Sequence, residues 1–173
     1  MKILLTSTSF QDTPGKHHQY LEKFKFDIIT KRGPLTEEEM IENIENIDGI
    51  ICGDDYITQN VLKKGKSSKL KIISKYGIGL DKIDLNTAKK LKIPIYNCPG
   101  INKYSVAEHT FALLLNYTKN ISKQLEITKK ESWVRFIGTE LFNKNISIIG
   151  LGNIGKLVAD YSRIFGMNVY YHD

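Results

Sequence analysis

Three glycines near the end of the sequence, Gly150, Gly152 and Gly155, directly follow an apolar, strand-like run. This G-x-G-x-x-G spacing is typical of a strand that turns sharply into a helix. The first two glycines let the pyrophosphate of a dinucleotide approach bare backbone, and the third lets the helix pack closely on the strand. The N–H groups of the helix start, Asn153 and Ile154, would then point at the phosphates. The pattern predicts a dinucleotide-binding turn.

The residues after these glycines agree with this prediction. Apolar residues recur at helical spacing over residues 154–165, and a second strand-like run covers residues 168–172. Asp173 follows at about the 20-residue spacing at which an acidic side chain accepts hydrogen bonds from the adenosine ribose. A carboxylate there favours NAD over NADP, because it would repel the extra phosphate of NADP. The alternative nucleotide interpretation is an S-adenosylmethionine-dependent methyltransferase, against which the upstream sequence argues.

Composition narrows the class of protein. The chain has 173 residues, of which 41% are apolar and 25% charged, as in ordinary globular proteins. No run approaches the roughly 18 apolar residues of a membrane span, and the first apolar run is too short for a signal peptide, so we expect a cytoplasmic protein without a membrane partner. The net charge is +6, but the lysines form no basic stripe, and we expect no nucleic-acid partner. Cys52 and Cys98 are interpreted as buried free thiols and not as metal ligands.

Short β-branched runs alternate with amphipathic helices from residue 2 to about residue 98. This alternation predicts an α/β layer with a parallel sheet, whose strand-like runs are residues 2–6, 26–30, 49–52, 71–74 and 94–97. Thr36 and Glu39 have capping-box spacing, Thr58 precedes another helix, and Asp84 is placed to cap a third.

A long helix is predicted to begin near Ser105, because Ser105 and Glu108 also have the spacing of a capping box. We expect its apolar residues to be buried, namely Val106, Phe111, Leu113, Leu114, Leu115 and Tyr117. The polar residues 118–132 that follow are interpreted as an interdomain connector.

Two ordered segments, residues 74–84 and 97–110, resemble the D-isomer-specific 2-hydroxyacid dehydrogenases, and within that family most closely the phosphoglycerate dehydrogenases. The resemblance continues through the glycine turn to the end of the sequence. It implies a flavodoxin-like substrate domain over residues 1–98. A connector helix and the first βαβ part of an NAD-binding Rossmann domain, which is incomplete, would occupy residues 99–173. The implied partners are NAD, a small 2-hydroxy or 2-keto acid, and a second copy of the chain in a homodimer.

The resemblance also implies roles for individual residues. Backbone N–H groups of Ile78 and Gly79 would hold the substrate carboxylate, since a glycine-rich turn lets bare amides reach an anion. Asn102 matches a polar position that faces the substrate, and Thr110 one that faces the nicotinamide. The cofactor positions are the glycine turn, the helix start and the acid, namely Gly150, Gly152, Asn153, Ile154, Gly155, Asp173 and, with them, Thr110.

The family places its catalytic arginine, glutamate and histidine after the position of Asp173, so the resemblance implies no catalytic residue within this chain. We therefore expect a truncated dehydrogenase that is inactive alone and that self-associates through residues 105–150, where an incomplete sheet would leave apolar surface exposed. The alternative is a non-catalytic nucleotide-binding or interaction module on the same scaffold. Asn143 and Ser147 stand where the family often has glycine.

Overall fold

The structure, a computed structural model, describes residues 1–173 and divides into two compact units, Met1–Pro99 and Gly100–Asp173. The elements of the first unit are β1 (Lys2–Leu5), α1 (Thr8–Asp12), α2 (Lys16–Glu22), β2 (Asp27–Thr30), α3 (Glu37–Asn43), β3 (Gly49–Cys52), α4 (Gln59–Ser68), β4 (Ile72–Lys75), α5 (Leu85–Lys90) and β5 (Ile95–Tyr96). Those of the second unit are α6 (Lys103–Thr118), α7 (Ile121–Lys129), β6 (Asn145–Ile149), α8 (Asn153–Ile164) and β7 (Asn168–His172).

The first unit contains a five-stranded parallel sheet in the order β2-β1-β3-β4-β5, which is the flavodoxin-like order. The register aligns Leu4, Ile50 and Ile73 on one face across neighbouring strands. Met40 of α3 and Leu62 of α4 belong to the same core cluster. All five side chains are at most 1% exposed, so the predicted parallel α/β layer is confirmed and its core is closed.

The helix starts of this unit follow their sequence signals. The side-chain oxygen of Thr36 accepts from the N–H of Glu39, and the Glu39 carboxylate accepts from the N–H of Thr36, which completes the predicted capping box of α3. Asp84 accepts from the N–H and from the hydroxyl of Thr87 and caps α5, and these two hydrogen bonds lower the pKa of its carboxyl. Thr58 precedes α4 as predicted, but its side chain makes no capping hydrogen bond.

A buried carboxylate joins three segments at the carboxyl edge of this sheet. Asp55 is 1% exposed and accepts from the Thr6 hydroxyl (2.5 Å), the Gly53 N–H (2.9 Å) and the Leu35 N–H (2.7 Å). These donors follow β1, follow β3 and precede α3, respectively. Because each donor already points at an oxygen, the carboxylate is satisfied without solvent.

The second unit contains a β6-α8-β7 element in which the two strands pair in parallel, from Asn145 opposite Asn168 to Ile149 opposite His172. This is the predicted first βαβ part of a Rossmann fold. Its small core consists of residues from α6, β6 and α8 with two flanking residues, namely Ala107, Phe111, Leu141, Ile148, Val158, Ala159 and Met167.

Helix α6 differs from the prediction at its start. The helix begins at Lys103 with Asn102 as the N-cap, so Ser105 lies inside it and the predicted capping box of Ser105 and Glu108 is wrong. The chain enters the helix from Gly100, whose φ of +70° lies in the left-handed region, and this turn sets the earlier start.

The predicted burial of α6 is also wrong in part. Phe111 is buried and Leu114 and Leu115 are partly buried, but Val106, Leu113 and Tyr117 are 36%, 56% and 84% exposed. Within the second unit α6 packs mainly against α8 and α7, so its other faces have no neighbour there. Residues 118–132, interpreted as an interdomain connector, lie inside the second unit, and most of them form α7.

Candidate functional site

The glycine turn between β6 and α8 has the geometry that its sequence indicates. Gly150 has a φ of +92°, which favours glycine, and a Cβ added to Gly150 or Gly152 would meet no atom within 4 Å. A Cβ on Gly155 would instead collide with the carbonyl oxygen of Gly150 and would lie 3.1 Å from its carbon. The first two glycines therefore leave the backbone open, whereas the third permits close packing of α8 on the turn.

The start of α8 offers unused hydrogen-bond donors. The N–H groups of Asn153, Ile154 and Gly155 donate to no other group of the chain, as expected for the first turn of a helix. The helix has 12 residues, so its N-terminus carries a partial positive charge. Open backbone and free donors at this end of the helix fit a diphosphate.

Asp173 lies beside the same turn. Its Oδ1 accepts from the N–H of Leu151 at 2.9 Å, and the adjacent His172 carbonyl accepts from the N–H of Gly150 at 2.8 Å. The turn and the acid at the end of β7 are thus brought together, although Gly155 and Asp173 are far apart in sequence. The Oδ2 atom of Asp173 accepts no hydrogen bond within the chain.

A second glycine-rich turn follows β4 in the first unit. The Cys98 N–H donates to the Gly77 carbonyl (2.9 Å) and the Asn97 side-chain amide donates to the Ile78 carbonyl (2.8 Å), which fixes the turn against the residues after β5. The N–H groups of Ile78 and Gly79 donate to no group of the chain. Both residues line a cavity of about 180 Å³. Two free amides in a cavity wall can hold a small anion.

The same cavity contains one ion pair that no pattern in the sequence indicates. Lys75 is 4% exposed, and its ammonium donates to the Gly53 carbonyl and to Oδ1 of Asp54, at 2.6 Å from the carboxylate. The other lining residues are neutral, and several carry hydroxyl groups, among them Thr6 and Ser7. No sequence signal joins Lys75 to Asp54, because Lys75 ends β4 whereas Asp54 follows β3, and the two meet only through the pairing of β3 with β4.

The two remaining predicted site residues lie at α6, Asn102 at its N-cap and Thr110 within it. Asn102 is exposed at the N-cap, and the Thr110 hydroxyl donates to the carbonyl of Val106 in its own helix at 2.8 Å. The start of α6 does approach the start of α8, since a Cβ on Gly100 would lie 3.5 Å from the side-chain nitrogen of Asn153. This approach involves Gly100 and Asn153, and neither Asn102 nor Thr110 makes a hydrogen bond to the turn at Gly150.

The two cysteines are free, and Cys52 is buried whereas Cys98 is partly exposed, so only the first is the buried thiol that the sequence predicts. Burial, assisted by the nearby Asp55 carboxylate, raises the pKa of the Cys52 thiol to about 12. No group of three or more histidine, cysteine or acidic side chains is arranged to hold a metal ion. None of the helices combines the length and the apolar character needed to cross a bilayer.

Comparisons with known proteins agree with this arrangement. The D-3-phosphoglycerate dehydrogenase of Methanocaldococcus jannaschii is 37% identical over 142 residues, which are 80% of this chain and 27% of that protein. The crystal structure of the TT0316 protein from Thermus thermophilus matches with a TM-score of 0.87 and 28% identity, covering 99% of this chain and 56% of that one. The chain thus spans between about a quarter and just over half of these relatives.

A cofactor-bound structure is among the similar ones. The NAD⁺-bound 3-phosphoglycerate dehydrogenase of Entamoeba histolytica matches with a TM-score of 0.75 and 27% identity over 100% of this chain and 54% of that one. The sequence model described as D-isomer specific 2-hydroxyacid dehydrogenase, catalytic domain, matches residues 4–160, which overturns the methyltransferase alternative. Because this match covers most of the sequence, the chain belongs to the D-isomer specific 2-hydroxyacid dehydrogenase family.

Proposed function

We propose that this chain is the part of an NAD-dependent 2-hydroxyacid dehydrogenase that binds the diphosphate of the cofactor and the carboxylate of a small 2-hydroxy or 2-keto acid. The observation that carries the proposal is the open turn at Gly150 and Gly152, which faces free N–H groups at the start of α8. When bound, NAD(H) would supply or accept the hydride. The NAD⁺-bound relative supports this choice of cofactor.

Each residue of the glycine turn has a defined role in the proposal. Gly150 and Gly152 leave room for the diphosphate, and Gly155 lets α8 approach closely enough for the N–H groups of Asn153 and Ile154 to donate to it. Asp173 would accept from the ribose hydroxyls with the oxygen that is not used by Leu151.

The acid would bind in the first unit, where the free N–H groups of Ile78 and Gly79 would donate to its carboxylate. Asn102 would face the substrate and Thr110 the nicotinamide. Reduction of a keto acid also needs a proton donor and a cation that polarises the carbonyl. We assign neither role to a residue of this chain, and we expect no turnover of NADH with hydroxypyruvate by the chain alone.

The cofactor proposal is tested by calorimetric titration of NADH into the chain and into the Gly152→Ala variant. Gly152 has a φ of −73° and open space beside it, so the fold should be unchanged, but the new methyl group would occupy the space of the diphosphate. We expect the affinity to fall at least about tenfold, equivalent to roughly 1.4 kcal/mol. Gly15→Ala in the first unit is the control: its methyl group would lie 3.0 Å from the His17 ring, outside the proposed cofactor site, and the variant should bind NADH like the unmodified chain.

Two outcomes would contradict the assignment. Equal NADH binding by Gly152→Ala and the unmodified chain would show that this turn does not hold the diphosphate. NADPH binding as tight as NADH binding would remove the role proposed for Asp173, because its carboxylate should repel the additional phosphate.

We also propose that the chain forms a homodimer through the second unit. Tyr117 and Ile137 line the same surface pocket and are 84% and 98% exposed, and Trp133 of the same unit is 82% exposed. Large apolar side chains exposed near one another are typical of an interaction surface. Ile137→Asp should shift the protein toward the monomer in sedimentation velocity experiments, because it places a charge in the contact. A monomer at all concentrations of the unmodified chain would refute the proposal.

A further inference from the structure

The cavity beside Ile78 and Gly79 contains a cation that is already neutralised. Lys75 is the only basic residue that lines the cavity, and Asp54 is the only acidic one. The Lys75 ammonium donates to the Asp54 carboxylate at 2.6 Å and also to the Gly53 carbonyl. Its side chain is 5% exposed, whereas that of Asp54 is 83% exposed. The cavity therefore presents two free amides, hydroxyl groups and an outward carboxylate, but no unpaired positive charge.

This charge arrangement opposes a phosphorylated ligand. A phosphate monoester carries about −1.5 to −2 charges at neutral pH and is usually bound by arginine or lysine through charge-assisted hydrogen bonds. Here a phosphate near Lys75 would have to displace Asp54 from a buried ammonium, and it would meet the repulsion of that carboxylate. The exchange would gain no net ion pair, because the phosphate would only take the place of a carboxylate that already binds the ammonium, and the displaced carboxylate would remain nearby as a like charge.

A single carboxylate has no such conflict. The N–H groups of Ile78 and Gly79 provide two donors for its oxygens, and the hydroxyl-bearing wall can hydrogen-bond a hydroxyl or carbonyl group of the same molecule. The cavity of about 180 Å³ lies below the roughly 300–1,000 Å³ of pockets for drug-sized ligands. Its size also suits a small acid.

We propose that the Asp54–Lys75 ion pair selects an unphosphorylated 2-hydroxy or 2-keto acid and disfavours its phosphorylated counterpart. The inference rests on the proposed function, since it takes the amides of Ile78 and Gly79 as the carboxylate site. It narrows the substrate class of that site, because a phosphoglycerate dehydrogenase is among the relatives of the chain.

The test compares two ligands that differ only in the phosphate, D-glycerate and 3-phospho-D-glycerate, by ligand-observed NMR titration of the full chain. The unmodified chain should bind D-glycerate at least as tightly as 3-phosphoglycerate. Asp54→Asn removes the carboxylate charge with little change of shape and releases Lys75. It should raise the affinity for 3-phosphoglycerate relative to glycerate by roughly tenfold, the effect of one hydrogen bond to a charged group.

Asp27→Asn is the matched control, because Asp27 is exposed on β2, does not line the cavity and changes the net charge equally. It should leave the preference between the two acids unchanged. Tighter binding of 3-phosphoglycerate by the unmodified chain would overturn the inference, as would equal shifts in the two variants. Binding of neither acid would also overturn it, whereas the NADH titration decides the cofactor proposal independently.

Discussion

The two units of the chain are built from the same kind of element, but they differ in how completely each encloses its core. In the first unit Leu4, Ile50 and Ile73, on adjacent strands, are at most 1% exposed. In the second unit the corresponding positions on β6 and α8, Ile148 and Val158, are each 8% exposed. Five strands with helices packed on them enclose their central side chains, whereas a pair of strands with two neighbouring helices leaves access from the sides.

The contrast extends to the surface. Ile149 on β6 and Ile164 on α8 are 90% and 81% exposed, although both belong to regular elements with clear sequence signals. Local signals in the sequence therefore specify a strand or a helix in both units equally. Burial depends instead on how many neighbouring elements each unit supplies, and the first unit supplies more.

The largest expected effect tests this difference in the cores. Ile50→Ala should lower the free energy of unfolding of the first unit by about 3 kcal/mol, because the enclosed site cannot collapse around the cavity. Ile148→Ala should cost the second unit less than about 2 kcal/mol, since its surroundings can relax. Urea unfolding combined with hydrogen exchange of peptides from each unit measures both losses. Equal losses would contradict the comparison.

A smaller effect is expected at the helix starts. Thr36→Ala removes the side-chain acceptor from the capping box of α3 and should cost about 1 kcal/mol. Ser105→Ala is the control from the second unit, because Ser105 lies inside α6 and alanine is a good helix former, so stability should change by no more than a few tenths of a kcal/mol. Thermal unfolding of both variants measures the contrast. A comparable loss of stability in Ser105→Ala would indicate that the Ser105 side chain caps the helix, contrary to the structure.

The smallest effect concerns acid stability. Hydrogen bonds from Lys71 and from the N–H of Lys2 lower the pKa of Asp48 to about 2, below its ordinary value of 3.8. The pKa of Asp48 is lower in the folded than in the unfolded chain, so the ionised carboxylate stabilises the fold. This contribution to the free energy of unfolding is complete above about pH 4 and is lost as the pH falls toward 2. Asp48→Asn should therefore reduce stability at pH 5 and less so at pH 2.5, as measured by urea unfolding.

Asp160→Asn in the second unit is the control for this measurement. Asp160 and Arg163 are both more than 60% exposed, and such exposed pairs contribute little to stability. A loss of stability at Asp48 that does not change between pH 5 and pH 2.5 would show that the carboxylate charge is not its cause.

Much of the fold could be predicted from the sequence, because strand and helix periods are local properties. β3 and β7 have the predicted bounds, and the other strands of the first sheet differ by one residue at one or both ends. The start of α6 and the exposure of Tyr117 could not be predicted, since the first depends on a left-handed turn at Gly100 and the second on which elements surround the helix. Asn143 stands where the family often has glycine, and its φ of +58° lies in the left-handed region, which asparagine tolerates better than most residues.

The candidate site could be predicted only where its residues are close in sequence. The turn at Gly150 and the helix start at Asn153 have a fixed spacing in the sequence, so the pattern alone predicts their geometry. Lys75 and Asp54 have no such spacing, because their meeting depends on the register between β3 and β4. Which charges share a cavity is a property of the folded sheet and cannot be obtained from either segment alone.

The buried carboxylate of Asp55 has a consequence for the evolution of this sheet edge. Three donors, one O–H and two N–H groups, converge on its two oxygens from separate segments. An asparagine of almost identical shape would turn an NH₂ group toward at least one of those donors, and two donors facing each other repel. Replacement of Asp55 by asparagine is therefore disfavoured by the direction of its hydrogen bonds and not by size. Because Asp55 is held in this way, the adjacent Asp54 has a fixed backbone position from which its carboxylate reaches Lys75.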